Sequence, residues 1–412
     1  MKGVVIICFL VMLAGKTWAR QIQVCASCEV QTIEKALQQA KPYDTILLKG
    51  TFQLDSAYTI TMPLSIIGQQ AILDGQGKTG MWIIYANNVL IRDLTLLHTG
   101  MSYIEDRACI SISKSNHISI LHVKMIQSFF GIFAYQSRHI LVEDCFFDGL
   151  GTTEFNAANG IHLWYCDSVN LIDNIVQHHR DGIYLEFTNN SEIKNNISRN
   201  NIRYGMHFMF SNNDSYIENT FQYNGAGVAV MYSHNIQMKK NTFSRNYGPN
   251  AYGLLLKEIH DSEIRQNYFL DNTAGLFMEE CSRLNIIRNT FQSNGWAMRI
   301  TGSSLNNQIS RNNFLQNSFD VASLTANVQD NRFYENYWSD YRGYDLNGDN
   351  IGDVPFHPMR MFAYVVMRYN ISVVLLRSLL ESLLNVAESV IPIVTPSKLV
   401  DPAPLMKPVQ HD

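Results

Sequence analysis

No surplus of basic charge marks this chain: 32 lysines and arginines against 36 acids give a formal net charge of −4, and nothing in that balance favours nucleic acid as a partner. Its apolar run at 4–14 is too short to cross a bilayer comfortably. Between Cys109 and Asn336 there is no helical periodicity, and the L-x-x-L-x-L spacing of leucine-rich repeats is absent. Cysteine is scarce, with seven in the whole chain, too few for a dense disulfide framework.

What is present is a register of about 22 residues. A Gly followed by alternating apolar residues recurs at Gly131, Gly160, Gly182, Gly205, Gly227, Gly253 and Gly275, spaced 29, 22, 23, 22, 26 and 22 apart. Fourteen residues after most of these glycines stands an Asn: Asn174, Asn196, Asn219, Asn241, Asn267 and Asn289, often within Asn-x-Phe-x-x-Asn. Short β-like runs at this period predict an all-β, right-handed parallel β-helix, a solenoid whose coils bury their apolar faces only by stacking. Identical Asn residues in successive coils can form an amide ladder at the turns, where Asn also tolerates the left-handed conformation. About eleven coils fit between Gly80 and Asn336, a stack of roughly 50 Å at the usual strand spacing.

The ends differ from the repeat. Residues 1–19, with Lys2, a short apolar run and Thr17-Trp18-Ala19, read as a signal peptide; Lys16 rather than Cys after Gly15 argues against a lipoprotein anchor. Its removal takes away two lysines and brings the formal charge to −6. Residues 20–357 form the expected β-helix domain with capping ends, beginning with a short capping helix over 32–40. Lengthened coils at 100–107 and 150–159 are expected to emerge as loops. Residues 358–412 form a C-terminal extension: an amphipathic helix over 371–391, either an end cap or a partner-docking element, then an extended proline-rich tail.

Export makes the cysteines readable. Cys8 leaves with the signal. Cys25 and Cys28 form C-x-x-C, read as a local disulfide or as a soft-metal or redox pair. Cys109, Cys145, Cys166 and Cys281 fall on repeat positions too far apart to pair and are expected to be buried single thiols.

Alternation along each strand sorts inside from outside. One and three residues after each Gly lie apolar pairs such as Ile161/Leu163, Met206/Phe208 and Val228/Val230, which should face the core. Positions two and four should face solvent: His162/Trp164, Tyr184/Glu186, His207/Met209, Ala229/Met231, Leu255/Lys257 and Phe277/Glu279. That face is rich in His, Met and aromatic side chains for one meant only to meet water.

The strings Arg203-Tyr204-Gly205-Met206-His207-Phe208-Met209-Phe210, Gly227-Val228-Ala229-Val230-Met231-Tyr232-Ser233, Tyr252-Gly253-Leu254-Leu255-Leu256-Lys257, and Asn336-Tyr337-Trp338 before Tyr344-Asp345-Leu346 carry a resemblance. They look like the NosD family, periplasmic copper-handling maturation proteins of nitrous-oxide reductase. The resemblance spans most of the mature chain. It implies a periplasmic location at the inner membrane, a partner ABC ATPase and membrane permease, a copper-donor chaperone, and copper supply to the reductase's copper–sulfur centre.

Cu(I) is soft and selects thioether sulfur and imidazole nitrogen. His207, Met209 and Met231 fall at outward positions of two adjacent coils, with the two methionines stacked in one column; His162, two coils from His207, suits a transfer path or a docking face. The alternative is that the patch only docks a partner. Separately, Asp345, Asn347, Asp349, Ile351 and Asp353 follow D-x-N-x-D-x-I-x-D, like the first part of a Ca²⁺ loop. Asn350 at position six and Phe356 at position twelve depart from that pattern, so structural calcium and a plain Asx-turn loop both stay open.

The rival class is an enzyme or carbohydrate-binding module. Hydrolysis needs a carboxylate pair within about 10 Å; outward Glu186 and Glu279 lie four coils apart, roughly 19 Å. Trp164, Tyr184 and Phe277 would be the stacking platforms of a sugar-binding face.

Overall fold

The computed structural model describes residues 20–102, 104–323, 330–376, 378–390 and 399–410. The expected signal segment 1–19 lies outside the described residues, as does 391–398, where the expected helix ends and the tail begins.

The chain winds as a parallel β-solenoid. One face is a sheet of 12 parallel strands, one per coil, and a continuous sheet of 24 strands supplies the others. Along the 12-stranded sheet the register is uniform: Ile183 pairs with Met206, and Met206 with Val228. The expected inward residues are the core; Ile161, Leu163, Phe208, Val228, Val230 and Leu256 are all fully buried. A ring column, Phe221, Phe243, Phe269, Phe291, Phe314 and Trp338, runs through the interior with centroids 4.1–5.6 Å apart. These Phe residues are the middle member of Asn-x-Phe-x-x-Asn.

The repeat Gly is there for closeness. A Cβ on Gly182 would lie 2.6 Å from the Gly205 carbonyl oxygen and 2.1 Å from Ser198 Oγ. Cys109 occupies the same column where the coil above leaves room, its thiol 2.9 Å from Thr99 Oγ1.

The amide ladder is present. The backbone and side-chain N–H groups of each Asn donate to the Oδ1 of the next: Asn196 to Asn219, Asn219 to Asn241 and Asn241 to Asn267, all at 2.9–3.0 Å. The last Asn of the motif builds a second ladder, from Asn201 through Asn224, Asn246 and Asn272 to Asn294. One expectation is corrected. The ladder Asn residues are not left-handed; the residue before each one is, as at Asn195 (φ 59), Glu218 (φ 58) and Lys240 (φ 55). The Asn is selected for its paired donor and acceptor, while the solvent-facing neighbour absorbs the positive φ.

Both ladder ends are closed. Cys145 takes the ladder position at the N-terminal side, its backbone N–H donating to Asn174 Oδ1 at 3.0 Å. At the other end Asp401 Oδ2 accepts from the Asn336 N–H and side-chain amide and from Trp338 Nε1, at 3.0, 3.0 and 3.1 Å. A carboxylate is acceptor-only, which is what the final donors of a directional ladder require.

Helix α1, Ile33–Gln39, starts at Thr32, whose side chain accepts from the Lys35 N–H. Residues 98–102 and 104–107, and 150–160, carry no strand, as the lengthened coils imply. The C-terminal extension differs from its expectation. A helix α2, Met361–Arg368, precedes a 3-10 turn, Asn370–Leu375, and the amphipathic helix α3 covers only Leu379–Val390. β-Branched Ile371, Val373 and Val374 weaken helix propensity where the helix was expected to start. Phe362, Ala363 and Val366 of α2 pack on Phe319 of the last strand in the 12-stranded sheet, so the helices cover a side of the stack while the tail around Asp401 closes its end.

The four inner cysteines are buried thiols. Burial pushes Cys109, Cys145 and Cys281 up to about 12 and Cys166 to about 11. Cys25 and Cys28 are joined in a disulfide.

Replacing Asn241 with Ala strands buried donors of Asn219 and the Tyr216 carbonyl. It should cost about 3 kcal/mol or more of stability, whereas Gln237→Ala, at an exposed strand position, should stay within about 0.5 kcal/mol. Thermal melts of both variants check this; equal effects would mean the buried ladder is not what holds the coils.

Candidate functional site

The 12-stranded sheet turns three outward columns to its outer face: the residue before each Gly, and those two and four after it. The column before Gly was not read from the sequence. It runs Phe130, Asn159, Asp181, Tyr204, Ala226, Tyr252, Ala274 and Trp296. Asp181 is the acid of that run, a signal available from the same register.

Around coils 159–207 these columns meet in a polar cluster. Asp181 is fully buried and bound by Arg203 through Nε at 2.8 Å and Nη2 at 2.5 Å. Burial alone would raise the Asp181 carboxyl, but the Arg203 bonds and the nearby His207 ring hold it below the usual range. Arg203 is raised in turn by that bond. Arg180 Nη2 donates to Asn159 Oδ1 at 3.2 Å, and Asn159 Nδ2 lies 3.1 Å from His162 Nδ1. Asn159 is the last residue of the lengthened coil 150–159, so the insertion delivers one member of the cluster.

His207 does not face solvent as expected: it is 7% exposed. Tyr184 and Tyr204 enclose its ring, with centroids 5.1 and 4.9 Å away. Nδ1 lies 3.8 Å from Asp181 Oδ2, beyond hydrogen-bond reach, and among the described residues neither ring nitrogen has a hydrogen-bond partner. Ala229 and Leu255, also expected outside, are buried with Tyr252 in a second apolar layer that Tyr204, Met231, Phe277 and Trp296 complete. Alternation along the strand gave the face correctly; the aromatic layer lying on that face supplies the burial.

Met209 and Met231 are register partners on adjacent strands and only partly buried, flanked in the same column by Glu186 and Lys257. His162 sits two strands from His207, with the Tyr184 ring between them at 4.7 and 5.1 Å. The site therefore brings His207 to the strand that carries Met209 and keeps His162 apart. Among the described residues no three His, Cys, Asp or Glu side chains converge on one ion position.

Of the three candidate sugar platforms, Trp164 stays 37% exposed, while Tyr184 and Phe277 are covered. Tyr184 is wedged between two imidazoles, its hydroxyl pushed up to about 12 by burial and by the Glu186 carboxylate 3.2 Å away. Phe277 lies under the Arg299 guanidinium. Tyr165, Phe187, Phe210 and Tyr232 stack at 4.6–5.0 Å within 12° of parallel, so each inner ring has both faces covered. Stacking on a sugar needs a free ring face; edges are what this row presents.

In the 345–353 loop the side-chain oxygens accept from the loop's own backbone. Asp345 accepts from Gly348 and Asn350 N–H, Asn347 from Asp349, Asp349 from Ile351, and Asp353 from Leu346. Asn350 does take the left-handed turn, φ 71, that its position demands. The loop is tied to the tail by the Ile351–Leu405 bridge.

Comparison with known proteins now separates the readings. Residues 148–343 match the family described as periplasmic copper-binding protein (NosD). The chain is 30% identical over 372 residues to the probable ABC transporter binding protein NosD of Stutzerimonas stutzeri, covering 85% of this chain and 84% of that one. The chain belongs to the NosD family. Solved structures of similar shape include PfbA, a surface adhesin of Streptococcus pneumoniae, at TM-score 0.55 and 13% identity over 72% of this chain and 88% of that one. Another is a mannuronic acid specific polysaccharide family 6 lyase from human gut microbiota, at 0.54 and 13% over 78% and 86%. An adhesin and a lyase on one scaffold share the fold alone. A periplasmic copper-binding family and a relative named as a transporter binding protein point to a non-enzymatic accessory protein.

Burial, with the Arg180 charge adding to it, lowers His162 to about 4 from an ordinary 6.5. The unfolded chain then binds the extra proton, so this contribution to stability is complete above pH 6.5 and is lost as pH falls toward 4. His179, buried and also lowered to about 4, acts in the same window. His162→Gln should remove up to about 1.4 kcal/mol per pH unit from the acid slope. Melts between pH 7 and 4.5 read it, and an unchanged slope would show that His162 protonates within the fold.

Proposed function

We propose that this protein is a periplasmic accessory subunit of an ABC-type complex that receives copper and supports assembly of the copper–sulfur centre of nitrous-oxide reductase. Copper is its cargo. The observation that carries this reading is His207, a buried imidazole with both nitrogens unpartnered, on the strand that also presents Met209 beside Met231. A buried unsatisfied nitrogen costs about 1–3 kcal/mol and calls for a partner. A neutral imidazole nitrogen with two thioethers is a donor set suited to Cu(I) and poor for harder ions. Asp181, fixed by Arg203, lies 3.8 Å from Nδ1, so Nε2, on the other side of the ring, is taken as the nitrogen that meets copper. His162 serves approach or transfer.

The C-terminal helices suit the membrane side of such a complex. Ile371, Val374, Leu379 and Leu383 are 83, 79, 77 and 57% exposed. No helix among the described residues is long and apolar enough to cross a membrane. An exposed apolar patch of this kind fits the surface of a transporter permease, which agrees with the relative named as an ABC transporter binding protein. A copper-donor chaperone and the reductase would meet the His/Met face. The 345–353 loop is read as a structural calcium loop, since oxygen donors alternate there and Asn350 adopts the turn.

Replacing Met209 and Met231 together with Leu conserves volume and should cost under ~1.5 kcal/mol. The variant should fold and keep its partners yet leave the reductase without a complete copper–sulfur centre. Normal reductase copper content in such a strain would sink the site, and loss of complex formation with unchanged Cu(I) affinity would make the patch a docking surface. His207→Ala should act in the same direction. For the loop, chelator should lower the melting temperature and Ca²⁺ restore it; no response to saturating Ca²⁺ reduces it to a turn.

A further inference from the structure

The N-terminal tip holds the chain's remaining sulfur chemistry. Cys25 and Cys28 lie in a tight loop directly after the first strand, Gln21–Val24. Both are partly exposed, unlike the four inner thiols. They border an open groove of about 820 Å³ whose lining includes Arg20, Gln23, Glu29 and Lys49. The loop does not depend on the disulfide for its shape. The Cys25 N–H donates to the Val30 carbonyl at 3.3 Å, the Cys28 N–H to the Cys25 carbonyl at 3.1 Å, and Val24 bridges Val30. Backbone bonds thus already hold the two sulfur positions together, and a crosslink over so short a loop removes the least unfolded-state entropy.

We infer that Cys25 and Cys28 are a reducible pair which, as a dithiol, forms a second Cu(I) site at the N-terminal tip. A dithiol reductant transfers two electrons and two protons to the disulfide, giving two thiols here and a disulfide on the reductant. One Cu(I) then replaces the two thiol protons and is held by two sulfurs. Thiolate is the softest donor a protein offers and matches Cu(I). In the oxidised form the same sulfurs carry no thiolate and the site is closed, so copper loading at this tip follows the redox state. The pair lies on the first coil, outside the 160–231 span that carries the His/Met patch, and neither site needs the other.

The test uses the mature chain, reduced with a phosphine that is then removed under anaerobic conditions. Iodoacetamide should label two cysteines in the native reduced protein and none in the oxidised protein, since the inner thiols are buried. Cu(I) titration against a chromophoric chelator should show one more ion retained by reduced than by oxidised protein, held on the order of 100-fold or more tighter than by reduced Cys25→Ser/Cys28→Ser protein. Circular dichroism should be the same for all forms. The Met209→Leu/Met231→Leu variant should keep the extra ion, so failure here and failure of the His/Met site are read separately. Equal Cu(I) retention by reduced wild type and the serine variant would overturn the inference, and so would a native disulfide that the phosphine does not open.

Discussion

The directional amide ladder is the constraint on which the rest of this molecule depends. Each buried Asn gives its backbone and side-chain N–H to the carbonyl oxygen of the next coil and returns its own Oδ1 to the coil before. In a low-dielectric interior such a chain is stable only if every member is satisfied. Coil height, turn position and strand register are therefore set together, because a coil one residue out of step would leave a buried amide unpaired. The two ladders and the ring column beside them fix the outer columns at a constant pitch. That is why Met209 and Met231 sit opposite one another without any contact designed for the purpose.

A directional chain also has two unlike ends. One end needs a donor and the other an acceptor. Cys145 supplies a backbone N–H at the first, and Asp401, from a segment 65 residues away in sequence, supplies the acceptor at the second. The tail that carries Asp401 also bridges the 345–353 loop, so closing the ladder organises the acidic loop next to it. Helix α2 packs on the last strand of the 12-stranded sheet and α3 packs back on it through Leu384, while Leu379 and Leu383 stay exposed.

Much of this was legible in the chain because a 22-residue period repeats one physical problem many times. Gly, alternating apolar pairs and Asn recur where a close approach, a buried face and a satisfied amide are needed, and the solenoid, its core and its ladder follow. Three features were not legible, each for a reason. The left-handed residue falls one place before the ladder Asn, since hydrogen bonding and backbone conformation select different positions. Alternation says which way His207 points but not that Tyr184 and Tyr204 close over it, because a second layer depends on side-chain shape between coils. The Asp401 cap is a single long-range contact that no local period encodes. Asp181 belongs to another category: the register was sufficient to find it, one column earlier than the columns that were read.

The contrast between the ladder and the His207 cluster bears most on function. Along the ladders the buried amides are paired on both sides, and among the described residues the buried side-chain nitrogens without a partner include Trp82 Nε1, His179 Nε2 and Arg180 Nε besides the His207 ring. On the outer face of the 12-stranded sheet, the His207 imidazole has no hydrogen-bond partner among the described residues for either nitrogen, beside a carboxylate whose two oxygens are held by Arg203. A repeat of this kind could place Ala or Leu there, as it does at Ala229 and Leu255 in the next two coils of the same column. Local rules are broken at sites that serve something other than stability. The cluster ends on the strand that carries Met209, whose register partner is Met231, and the copper role proposed for this face rests on that adjacency of an unpaired nitrogen and soft sulfurs.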